Sequence, residues 1–187
     1  MNKALDELKI QAKILLKSVR NNQPSAILRL AKYSGKKNVN HSLELDYSDI
    51  AKLKHCQYVL AREVGFETWQ HAHNILSASD NLRSATPLDS DAVNMGKFWH
   101  NHHCDALINL WFSSYTEAKF ALSANPTSYI IPYQRQFIVV TEDYLKVIAL
   151  NEVKKSLWLE VKHDLVASYA TDAWDKIAHV RLRNKTP

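Results

Sequence analysis

Residues 4–19 leave the chain little choice. Leu5, Leu8, Ala12, Leu15 and Val19 recur at three- and four-residue steps, a spacing that requires a helix burying one stripe. Lys9, Lys13, Lys17 and Arg20 fall largely off that stripe, and Asn21-Asn22 ends the segment. Pro24 stands where a first-turn proline belongs, because its missing N–H has no helical partner there. Ile27, Leu28, Leu30 and Ala31 predict a second helix, with Gly35 to close it. Residues 36–47 read as a polar connection. Ser48 is a candidate N-cap for a third helix with Ile50, Leu53, Gln57, Leu60, Ala61 and Val64 inward. Gly65 ends that helix, Phe66 folds back on its last turn, and Thr68 caps a fourth helix with Trp69, Ala72 and Leu76 inward.

The stretch LAREVGFETWQ, residues 60–70, has the outline of a DNA-reading helix-turn-helix. That motif anchors its second helix through positions occupied here by His71 and Asn74, both polar. No run of Arg, Lys, Asn or Gln is left on the outer face to read base edges. Gln57, Leu60, Ala61, Arg62, Glu63, Gly65, Phe66 and Trp69 fit another pattern, with Cys56 in place of an alanine. Residues 4–77 resemble a bacterial helical module with the hallmark AQ-x-x-[IL]-A-R-E-x-G-F-x-x-W, often found before ankyrin repeats. The resemblance implies an ankyrin-like packing unit without assigned chemistry. No TPLH-type motif and no 33-residue period follow it. Within the motif, Arg62 is expected to bond helix-end carbonyls or the neighbouring connection, and Glu63 to be solvated.

Residues 78–95 are polar, rich in small residues and carry Pro87, so they read as a linker between a helical unit, 1–77, and a second unit, 96–187. The texture then changes. Residues 105–112, DALINLWF, suit a strand. Ser114 and Glu117 have capping-box spacing before a helix that stops near Asn125-Pro126. Residues 128–132 and 136–140 flank the turn YQR and predict a hairpin. Thr141 is placed to cap a helix through Tyr144, Leu145, Val147 and Ile148. LWLEV, 157–161, fits strand or helix. Thr171 is placed to cap a last helix with Trp174, Ile177 and Val180 inward. The expected class is α+β with an antiparallel sheet.

No apolar run approaches the roughly 18 residues that cross a membrane, and the N-terminus lacks the apolar core of a signal peptide. Two cysteines, Cys56 and Cys104, are too few for a disulfide framework. A cytoplasmic protein is expected. The net charge is +5, and residues 1–77 hold 12 Lys+Arg against 7 Asp+Glu. That balance permits contact with nucleic acid or an acidic protein, while solvated lysines on helix faces account for it without a partner.

The most unusual chemistry is WHNHHC, residues 99–104. His100, His102, His103 and Cys104 are all possible ligands for zinc, and Cys104 beside histidines is a possible thiolate. No HExxH, CxxC pair or deaminase frame accompanies them. Three glycines in 187 residues exclude a Walker loop or dinucleotide fingerprint in practice, and no G-x-S-x-G is present. Glu142-Asp143 suit a helix start through the dipole alone. The hairpin tip, Tyr133, Gln134 and Arg135, carries recognition-type residues. These features point first to a non-enzymatic binding or regulatory protein that docks another macromolecule, in the first place another protein, without a cofactor. Two readings stay beside it: a zinc-dependent hydrolytic enzyme centred on His100–Cys104, and nonspecific nucleic-acid binding through the basic first half.

Overall fold

The computed structural model describes residues 2–33, 51–78 and 93–184. Gly35, Ser48 and residues 79–92 of the expected linker lie outside them. The described fold is α+β. It comprises α1 (Lys3–Arg20), α2 (Pro24–Tyr33), α3 (Leu53–Glu63), α4 (Trp69–Ser77), a 3₁₀ turn (His102–Ala106), β1 (Leu110–Phe112), α5 (Tyr115–Ala124), β2 (Tyr129–Tyr133), β3 (Gln136–Val140), α6 (Glu142–Val147), α7 (Lys155–Glu160) and α8 (Asp172–Asn184). No described helix is long and apolar enough to cross a membrane.

The α1 stripe is buried as its spacing demands: Leu5, Leu8, Ala12, Leu15 and Val19 are all inside, with Ala4. What covers them comes from both ends of the chain, since α1 packs on α3 and on α8. Asp175 of α8 accepts hydrogen bonds from the backbone N–H groups of Lys3 and Ala4, at 2.8 and 3.0 Å. These are two of the donors that a helix start leaves unpaired, so a residue far along the chain caps α1.

Two inner faces differ in part from the spacing read in sequence. In α3 the buried residues are Cys56, Val59, Leu60 and Ala61, while Leu53 and Gln57 are only half-buried. In α4 they are Ala72, Ile75 and Leu76, with Trp69 half-buried against the core beside half-buried His71 and Asn74. Leu60, Ala61, Val64, Ala72 and Leu76 are buried as their spacing demands, and Leu53 and Trp69 pack against the same core from its margin. Glu63 is half-buried rather than fully solvated: it takes Arg29 of α2 in a two-bond pair at 2.6 and 3.0 Å, and Arg62 is the exposed member of the motif.

Gly65 does more than end α3. Its φ of +99° suits glycine, and a Cβ there would lie 2.6 Å from the carbonyl carbon and oxygen of Lys97. Lys97 donates its N–H to the Gly65 carbonyl at 2.7 Å. Phe66 then stacks on Phe98 at 5.1 Å, Phe98 meets Trp99 edge-on at 4.6 Å, and Trp99 meets Trp174 of α8 at 5.5 Å. The Gly-Phe pair is therefore the seat on which the 94–100 turn rests. The main apolar core runs from α1 through this turn to β2, β3 and α8.

The sheet has the order β1-β3-β2, antiparallel throughout. Alternation splits its faces. Ile131, Ile138 and Val140 enter the main core, whereas Ile130, Phe137 and Val139 form a second cluster with Ala118 of α5. The strand expected over 105–112 is confined to Leu110–Phe112, because Asn101 caps a 3₁₀ turn that occupies 102–106. Ser114 and Thr171 cap as expected, accepting from Glu117 N–H and Trp174 N–H. Thr141 occupies the N-cap of α6 but makes no side-chain bond there. Residues 155–160 are helical.

Candidate functional site

The 99–105 turn and the hairpin tip, far apart in sequence, meet at His100. Trp99 ahead of it is buried, as is Tyr144 of α6 behind it. The His100 Nδ1 lies 2.9 Å from the Tyr144 hydroxyl and its Nε2 lies 3.1 Å from Asp105 Oδ1. A carboxylate only accepts, so Nε2 carries a proton and, in the neutral ring, Nδ1 accepts from Tyr144. When the ring takes a second proton, Nδ1 donates and the phenol turns to the Trp99 carbonyl, 3.1 Å away. Burial lowers the His100 pKa, and the hydrogen bond to Asp105 opposes that shift. Burial also drives the Tyr144 phenol pKa upward.

The outer wall is aromatic. Tyr133 packs edge-on against His100 at 4.9 Å, and Trp111 of β1 stands perpendicular to Tyr133 at 5.1 Å. The Lys97 ammonium sits 5.9 Å from the Tyr133 ring centre. The tip cannot swing freely: Gln134 donates its N–H to the Gly96 carbonyl at 2.7 Å, and Met95 donates to the Gln134 carbonyl at 3.0 Å. Gln134 has φ +50° and, with Arg135, is exposed, whereas Tyr133 is half-buried. Beside them Trp111 is 45% exposed, Leu110 47% and Ile108 93%. Residues 106–113 contain no charge and no proline, and among the described residues β1 forms the outer edge of its sheet, paired only with β3.

The four zinc-ligand candidates do not converge. His100 and Cys104 point inward, while His102 and His103 are exposed with their rings 3.8 Å apart. The cause is the Asn101 cap: its Oδ1 accepts from His103 N–H at 2.9 Å and from the Cys104 thiol at 3.7 Å, so adjacent residues leave in opposite directions. Among the described residues, no group of three His, Cys, Asp or Glu side chains is placed to hold a metal ion. Burial pushes the Cys104 thiol pKa up, against thiolate chemistry. Asp143 at the start of α6 pairs with Lys146 at 2.8 Å on the surface.

Two charged groups escaped sequence reasoning. Asp164, 1% exposed, accepts from the Tyr115 hydroxyl at 2.6 Å and from the Val166 and Ala167 N–H groups at 2.9 Å. Lys119 adds an ion pair at 3.5 Å. The cluster closes on itself as a turn staple. Arg181, on α8, is 1% exposed. It donates from Nε to the Phe98 carbonyl and from Nη1 to the Ile148 carbonyl, the latter at 2.5 Å. The only hint in sequence is its position four residues beyond Ile177 and seven beyond Trp174, on the buried stripe of α8.

No family model, curated protein or solved structure matches the chain.

Proposed function

We propose that this chain is a non-enzymatic binding protein that docks another protein in the cytoplasm through the face built from Trp111, Tyr133 and Arg135. One observation carries the reading: Trp111 is half open to solvent yet braced against Tyr133 and His100, beside exposed Leu110 and Ile108. Rigid aromatic anchors next to an arginine are the composition of binding hot spots, because they bury much area at little entropy cost. An uncharged sheet edge without proline lacks the usual protections against pairing with another chain. Lys97 sits over Tyr133 and Arg135 is exposed at the same hairpin tip, which favours a partner that is acidic around an apolar contact. The resemblance of residues 4–77 to a helical module without assigned chemistry supports a scaffold role, and Gly65-Phe66 of its hallmark seats the turn that carries His100.

The test is quantitative capture from the source cells with the wild-type chain, with Trp111→Ala/Arg135→Ala, and with Leu159→Asp as a control at another exposed apolar residue. The reading expects one protein enriched by wild type and the control and lost with the double variant. Turnover of a substrate that depends on His100 and Asp105 would replace it with an enzyme.

A further inference from the structure

His100 ties the aromatic face to the buried core. Its ring stands 4.9 Å from Tyr133 and 6.1 Å from Trp111, and it is itself buried. Both ring nitrogens have a partner in either charge state. In the neutral ring Nε2–H donates to Asp105, and Nδ1 accepts from the Tyr144 hydroxyl. In the charged ring Nδ1 donates to that hydroxyl, which donates in turn to the Trp99 carbonyl. Rotation of one O–H lets the ring take a proton without leaving a buried polar atom unpaired, so the aromatic wall keeps its place. What changes is charge. The Asp105 side chain is largely exposed, and the His100–Asp105 pair carries −1 with a neutral ring and zero with a charged one. Around the ring stand Lys97 of the same turn and Arg181 of α8, which both oppose its protonation, with Cys104, the Tyr144 phenol of α6 and the Tyr133 phenol of β2. Burial lowers the His100 pKa and the Asp105 hydrogen bond opposes that shift, so the ring changes charge below its usual value of about 6.5.

We propose that His100 and Asp105 form a proton-operated charge gate on the Trp111–Tyr133 face, one that favours an acidic partner segment when the ring is charged and disfavours it when the ring is neutral. The gate rests on the docking face put forward above and names its regulation. With the ring neutral, the Asp105 carboxylate works against the attraction of Lys97 and Arg135 for an acidic segment. With the ring charged, Asp105 is neutralised from within the protein, and the two cations set the sign of the face. The 6.1 Å between the His100 and Trp111 ring centres sets the scale of the effect. At that range, with an effective dielectric constant of about 40–80, one unit of charge changes affinity about three- to tenfold. Linkage is reciprocal, so a bound acidic segment raises the His100 titration by the same factor, about half to one pH unit.

The experiment is ¹H–¹⁵N NMR of the full chain, reading the Trp111 indole N–H and the His100 ring across the His100 titration. The probes are acetyl-Asp-Phe-Asp-amide, whose acids stay ionised above a pH of about 5, and the neutral acetyl-Asn-Phe-Asn-amide. Relative to the neutral peptide, the acidic peptide is expected to gain about three- to tenfold in affinity as pH falls through the His100 midpoint. At saturation it should raise that midpoint, and the neutral peptide should not. His100→Gln keeps a donor for Asp105 but cannot ionise, so the ratio should stay constant although His102 and His103 still titrate. Tyr144→Phe removes the acceptor of the charged ring, so the His100 midpoint and the affinity change should move to lower pH together. A ratio that stays flat while both peptides bind overturns the gate and leaves the face standing. An undiminished pH dependence in His100→Gln, or an affinity change that does not follow the His100 midpoint in Tyr144→Phe, overturns it as well. No shift of the Trp111 indole with either peptide at any pH overturns the gate together with the reading of the face.

Discussion

Replacing Gly65 with alanine tests how the two halves are joined. At φ +99° an L-residue is strained, and left-handed backbone costs about 1–2 kcal/mol. The new Cβ would stand 2.6 Å from the Lys97 carbonyl, so the 97–98 backbone must retreat. That retreat breaks the 2.7 Å bond from Lys97 N–H to the Gly65 carbonyl, worth about 1 kcal/mol. It also loosens the Phe66–Phe98 stack, worth about 1 kcal/mol. The sum is about 3–4 kcal/mol, or roughly 6–15 °C in Tm for a chain of this size. Urea and thermal unfolding followed by tryptophan fluorescence measure it, with Lys13→Ala as an exposed control expected within about 0.5 kcal/mol of wild type. Gly96→Ala should fall in the same range, since its Cβ would meet the Gly65 carbonyl at 2.7 Å. A loss below about 1 kcal/mol for Gly65→Ala would refute the reasoning, because a seat that yields so easily is not holding the turn.

Three further outcomes follow from the same geometry. Asp105→Asn removes the negative charge that opposes the burial shift of His100, so the His100 titration followed by NMR should move to lower pH. In the wild type the folded His100 pKa lies below the unfolded value of about 6.5. The unfolded chain then takes the proton first, so His100 makes stability fall as pH drops from about 6.5 toward the folded pKa; urea unfolding across that window should show a smaller slope in His100→Gln. Breaking the Arg29–Glu63 pair with Glu63→Gln should cost about 1–2 kcal/mol, and a double-mutant cycle with Arg29→Gln should return most of that as coupling. Cys56 and Cys104 are both buried, with thiol pKa values pushed up by burial, so a thiol reagent should label them only at the rate of unfolding; rapid labelling of Cys104 in the native chain would contradict its placement.

The parts of this fold legible in sequence are those governed by local rules. The α1 stripe, the Ser114 and Thr171 caps and the 128–140 hairpin need only neighbours in the chain. What sequence could not supply was set by partners far along it. Asp175 caps α1 across the molecule, and Arg29 draws Glu63 from the surface into a half-buried pair. The Asn101 cap divided a histidine cluster that composition alone would have gathered. Tyr133 was legible as a recognition residue from its turn, but its contact with His100 and Trp111 depends on the sheet register and on Met95 and Gly96 holding the tip. Arg181 was hidden because charge outweighed its place on the α8 stripe.

The most direct test of the proposed binding face is site-specific photocrosslinking in the source cells, with a benzophenone amino acid at Leu110 and, for comparison, at Leu159. The account predicts a discrete crosslinked protein from position 110 that disappears when Arg135→Ala is added, and none of that species from position 159. The same species from both positions, or none from position 110 while the chain is folded and abundant, would contradict it.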